Sequence, residues 1–110
     1  MKKLHASLAS NQASAVVEVA GKCELAICVT GSLGGETLTV QFSPAAGVAF
    51  ADLVVDEDAG AVTFEDARTK RIAFDGPCRV RVKGNGGGSP SGVNVYVDGN
   101  AIVLPAGEAA

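Results

Sequence analysis

The chain has no tryptophan and only one tyrosine, one methionine and one histidine, and each scarcity closes off a class of chemistry. The single histidine, His5, lies among small polar residues near the start, so no Ser-His-Asp or Cys-His set can be built around a held imidazole. A histidine-lined metal cup of the cupin kind lacks its ligands for the same reason. Few aromatics means few stacking platforms for single-stranded nucleic acid and little with which to grip a sugar ring. The three cysteines are odd in number and never spaced CxxC, which points to neither a zinc site nor a disulfide framework, although a Cys23–Cys78 bridge stays open. Lys and Arg number nine against twelve Asp and Glu, a formal net charge of -3, without the basic excess of a general nucleic-acid binder. No uninterrupted apolar run approaches the roughly 20 residues that span a bilayer. Behind Met1-Lys2-Lys3 the segment is broken by polar residues, short of the about 7 to 15 apolar positions of a secretory signal. These readings predict a soluble chain that is not exported, with free thiols suited to a reducing cytosol.

What the chain does have is alternation. Hydrophobic residues make up 47% of 110 residues, enough for one folded domain. In CRVRVK (78–83), Cys78, Val80 and Val82 share one parity while Arg79, Arg81 and Lys83 share the other; in VNVYV (93–97) the valines oppose Asn94 and Tyr96. Such period-two patterns mark strands with one buried and one wet face. The two segments flank a Gly/Ser/Pro tract and predict a β-hairpin with a long flexible tip. Further strands are predicted over 16–20, 23–30, 36–42, 48–55, 61–65, 70–75 and 101–104. Leu25, Ile27 and Val29 should point inward on the second of these, with Cys23, and Leu38, Val40 and Phe42 on the third. The 31–35 GSLGG stretch reads as a hairpin loop. A shift of parity within 48–55 reads as a β-bulge near Ala51.

The expected fold is therefore all-β: an antiparallel β-sandwich, jelly-roll or Ig-like, of eight to nine short strands. Residues 1–13, with only Leu4 and Leu8 at helical spacing, read as a flexible N-terminal arm, 14–104 as the sandwich domain and 105–110 as a C-terminal tail.

Three stretches invite chemistry. The glycine-rich 84–92 loop presents backbone N–H groups suited to an anion, but a phosphate loop needs a following Gly-Lys-Ser/Thr and a helix, whereas this one leads into a strand. A tip that orders against a neighbouring protein, through Gly86, Gly87 and Ser89, is the favoured reading. Asp56-Glu57-Asp58 fails the EF-hand spacing, because Gly60 stands where a ligand is needed, and reads as a solvated acidic turn. Arg79, Arg81 and Lys83 form a basic row on an exposed face, with Tyr96 the one exposed aromatic candidate on these strands. Arginine forks suit carboxylates and phosphates, so a protein interface and a plain solvated face compete here. No constellation for catalysis, metal or cofactor emerges, and the expectation is a non-enzymatic protein without a small-molecule substrate.

Taken together, GSLGGETLTVQFSP (31–44), Phe50, RVRV (79–82), Gly84 and SGVNVYV (91–97) resemble small β-sandwich virion proteins of tailed bacteriophages, of the head-decoration or capsid-cement type. The resemblance covers residues 23–97 and lies in spacing. It departs after Ser-Pro, where the family often has Asp-Gly-Gly and Trp and this chain has AAGVAF (45–50). The resemblance implies a structural protein that binds the outside of an assembled phage head, in many copies, after synthesis in the host cytoplasm. Its implied partners are the major capsid protein and neighbouring copies of itself, with a homotrimer among the arrangements, and neither nucleic acid nor membrane. Leu4 and Leu8 would dock along the capsid, Arg79, Arg81 and Lys83 would meet acidic patches, and the 84–92 tip would order on contact. A phage tail or head-fibre module is one alternative, and a free-standing carbohydrate-binding or adhesin-like domain another.

Overall fold

The computed structural model describes residues 1–104, so the expected tail, 105–110, lies outside the described residues. The chain is all-β: β1 (Lys2–His5), β2 (Val17–Val19), β3 (Cys23–Ser32), β4 (Leu38–Ser43), β5 (Ala51–Asp52), β6 (Val54–Asp56), β7 (Gly60–Ala61), β8 (Thr63–Phe64), β9 (Arg68–Phe74), β10 (Cys78–Gly84), β11 (Ser91–Asp98) and β12 (Ala101–Val103). Two antiparallel sheets face each other. One has the order β1-β11-β3-β9; the other runs β12-β2-β10-β4-β5, with β8 also on β4. Among the described residues the strands β6 and β7 pair only with each other, as a separate ribbon.

The core forms because the inward parity of each long strand is aliphatic. Leu25, Ile27 and Val29 of β3, Val93, Val95 and Val97 of β11, Val80 and Val82 of β10 and Leu38 and Val40 of β4 are all buried, and with Phe64 they make one cluster. Each such side chain contributes about 1.5–3 kcal/mol on leaving water. The parity reading holds for these positions, while Phe42, Cys23 and Cys78 are only partly covered.

The connectivity departs from the expected hairpins. Cys78–Gly84 and Ser91–Asp98 do not pair: β10 lies between β2 and β4, and β11 between β1 and β3, in the opposite sheet. Likewise 31–35 is not a hairpin loop, because β3 and β4 also belong to different sheets. From β1 to β4, and again from β8 to β12, each strand lies in the other sheet from its predecessor. Alternation says which face is buried, but an inward face meets the same oil whichever sheet the strand joins.

Two further expectations are corrected. Residues 1–13 are no free arm: β1 pairs antiparallel with β11, Leu8 N–H donates to the Val93 carbonyl at 2.8 Å, and Leu4 and Leu8 are buried in the common core, 5% and 2% exposed. The strand with a bulge near Ala51 is instead two short pieces, β5 on β4 and β6 in the ribbon, and Val48 and Val55 are exposed.

Candidate attachment face

At one end of the sandwich three segments cross between the sheets: 6–16 from β1 to β2, 33–37 from β3 to β4, and 85–90 from β10 to β11. Glu36, in the middle crossing, is 1% exposed. Its Oε2 accepts from the backbone N–H of Asn11 (2.8 Å) and Gly86 (3.0 Å), and its Oε1 from the N–H of Gly88 (2.9 Å) and the hydroxyl of Ser10 (3.1 Å). The glycine loop is thus an anion nest, but the anion is the chain's own carboxylate. The Asn11 N–H bond first, aided by those from Gly86, Gly88 and Ser10, holds Glu36 below the usual carboxylate range against the opposing pull of burial. Close approach explains the glycines here. A Cβ on Gly88 would lie 2.1 Å from the Glu36 nitrogen, and one on Gly34 (φ 58°) 2.3 Å from the Ser89 carbonyl oxygen. Asn85 completes the closure, accepting from Thr37 N–H at 3.2 Å and Gly87 N–H at 2.9 Å.

The sequence reading took this loop for a flexible tip and passed over Glu36. A signal was present: Glu36 shares the inward parity of Leu38 and Val40, and an acid in that register next to glycine-rich backbone needs N–H partners. Of the loop residues named as partner-binding, Gly86 is tied to Glu36, Gly87 to Asn85, and Ser89 N–H to the Gly34 carbonyl at 3.1 Å.

The basic row lies on the outer face of the second sheet, on its central strand β10. There each cation has a different setting. Arg79 reaches Glu18 of β2 at 3.4 Å, its side chain 15% exposed. Lys83 Nζ donates to Asn11 Oδ1 at 2.8 Å and to the Gly84 carbonyl at 3.3 Å. Arg81 donates from Nε to Gln41 Oε1 at 2.9 Å, and its guanidinium carbon stands 4.2 Å from the centre of the Phe50 ring. Gln41 in turn donates to Asp52 Oδ1 at 2.9 Å, which orients the amide oxygen toward Arg81. Burial disfavours the Arg81 charge, and among the described residues no carboxylate lies within ion-pair distance to offset it. Arg81 therefore keeps its two terminal amino groups, held in one orientation by stacking and a hydrogen bond, for an outside acceptor. Phe50 and Gln41 are the parts of this clamp the sequence reading did not connect with Arg81.

Tyr96, the last of the residues singled out, is on the opposite outer face, where Lys3 Nζ sits 5.9 Å from its ring centre. The structure thus separates it from the basic row. Leu4 and Leu8 belong to the core, not to any face. Cys23, Cys28 and Cys78 are all free; burial first, and the nearby Cys23 second, push the Cys78 thiol up. Among the described residues no three His, Cys, Asp or Glu side chains come together as ligands, and no helix is long and apolar enough to cross a membrane. No family model, curated protein or solved structure matches this chain. The face formed by β2, β10, β4 and β5 is accordingly read from its own chemistry.

Proposed function

We propose that this protein is a structural, non-enzymatic virion component of the capsid-decoration or cement type, which attaches to the outside of an assembled phage head and stabilises it. The observation that carries the reading is the outer face of the second sheet, where Arg79, Arg81 and Lys83 stand in one column on a rigid central strand. Exposed Val48, Val54 and Val55 lie on the segment that leads from β4 through β5 to the ribbon. A preorganised face with one oriented arginine suits docking on an acidic protein surface. The strand orders β1-β11-β3-β9 and β2-β10-β4-β8 support the reading, since they form a jelly roll, an architecture used by viral shell proteins as well as by lectins and cupins. A ligand of the assembled state alone stabilises it by mass action, and many copies multiply the effect. The partners in this reading are the major capsid protein and neighbouring copies, including a homotrimer, and the location is the virion surface.

The test is cosedimentation of the purified protein with DNA-free heads and, separately, with purified tails. Saturable occupancy of heads is expected, and the Arg79→Glu/Arg81→Glu variant should lose about tenfold or more of that affinity while remaining folded by circular dichroism. Binding to tails alone, or unchanged occupancy by the variant, would refute the proposal.

A further inference from the structure

The acidic turn Asp56-Glu57-Asp58 has no role in the fold described so far. It caps the β6–β7 ribbon, which pairs with neither sheet, and every residue from 54 to 60 is exposed, Val55 at 66%. Among the described residues none of the three carboxylates has a cation within ion-pair distance; the turn's only side-chain bond is local, Asp58 N–H to Asp56 Oδ1 at 3.0 Å. Two exposed valines behind three unpaired acids, on a narrow projecting ribbon, are poorly placed for an isolated monomer and well placed for insertion against another surface.

The same chain carries a surface of opposite charge. Arg81 presents its oriented fork beside Phe50, with Arg79 and Lys83 above and below it in the column. Among the described residues Glu18 lies on Arg79, and Asp52 is held by Gln41. No carboxylate among the described residues lies within ion-pair distance of Arg81, which leaves its charge for a partner. Within one molecule no ion pair among the described residues joins the turn to Arg81, and Asp52, at the foot of the ribbon, bonds Gln41.

We propose that the acidic turn of one copy docks on the Arg81–Phe50 clamp of a second copy, head to tail. A carboxylate from 56–58 takes the two terminal amino groups of Arg81 in a bidentate pair, and Val55 comes to rest against Phe50 and Val48. Because turn and clamp are different patches, the contact is heterologous, and repetition gives a closed ring or an open chain according to the angle between copies. This deepens the attachment reading by naming a neighbouring copy, and not the shell, as the acidic partner of Arg81. It rests on that reading only for the use of this face, and self-association can be measured with no shell present.

The experiment is sedimentation velocity on the full chain from about 10 μM to about 1 mM. It is run at about 20 mM and about 500 mM salt, to weaken charge pairing in the second condition. Concentration-dependent association is expected at low salt and should weaken at high salt. Arg81→Glu and Glu57→Arg should each weaken it by about tenfold or more, and the charge-swapped double variant should recover to within about threefold of the wild type. Thermal melts confirm that each variant is folded, with Arg81→Gln as a milder second probe. A chain that stays monomeric at low salt throughout, or a double variant that fails to recover, overturns the proposal. Shell occupancy that falls in Arg81→Glu while solution association is absent or unchanged assigns the partner carboxylate to the shell, which defeats this inference and leaves the attachment reading standing.

Discussion

Glu36 shows how a buried charge survives without a cation. Its two oxygens collect three backbone N–H groups and one hydroxyl from two other crossings, so the ionised form is solvated by the chain in place of water. Its folded pKa lies below the ordinary glutamate value, so its stabilising effect is complete above about pH 4.3 and is lost as pH falls through the lower folded value. Glu36→Gln should destabilise the fold at neutral pH, because an amide NH2 must face N–H donors that the Oε2 atom accepted. It should also flatten the loss of stability on acidification, although Asp66, held down chiefly by its hydrogen bond with Arg68, keeps a separate share. Urea titrations at neutral and acid pH check both effects, and an acid dependence identical to wild type would contradict the clasp. At this scale the parity of Glu36 was readable in the sequence, but its donors were not, since they come from residues 25 to 52 positions away.

Individual strands were legible wherever one face is buried along their whole length. The β3, β10 and β11 segments follow their parity because a slip of one residue would turn every valine and leucine into water. The segment 48–61 was not legible: with Val48, Val54 and Val55 exposed, its apolar residues do not report a buried face. The N-terminal segment was misread for the opposite reason. Leu4 and Leu8 are too sparse to show a period, yet β1 and the following crossing bury both against β11 and its neighbours. Leu8→Ala should therefore cost about 2–5 kcal/mol of stability. A denaturation midpoint unchanged by this substitution would return Leu8 to the role of a surface anchor.

At the scale of the whole molecule, strands that change sheet at almost every step make the two ends, where the crossings lie, part of the cooperative fold. The middle strands of each sheet are hydrogen-bonded on both edges, whereas the β6–β7 ribbon contacts neither sheet through strand pairing. Hydrogen exchange should be slowest in β3, β10 and β11 and fastest, among strand amides, in the ribbon, because local opening there breaks the fewest buried contacts. Mass-spectrometric exchange that found the ribbon as protected as β10 in the dilute protein would contradict this ranking. The same independence leaves the ribbon free to carry its acidic turn to another molecule.

The pattern of residues by itself determined that the chain is all-β, which face of each long strand is buried, and that three cations share one outward-facing column. Those features depend on the two-residue repeat of a strand, which is local. Only the tertiary structure decided that neighbouring strands in sequence lie in opposite sheets, that the glycine loop closes on Glu36, and that Arg81 alone of the column keeps a free, oriented fork. Each of these depends on which distant backbone or side chain comes within about 3 Å, the reach of a hydrogen bond, and local alternation holds no record of such encounters.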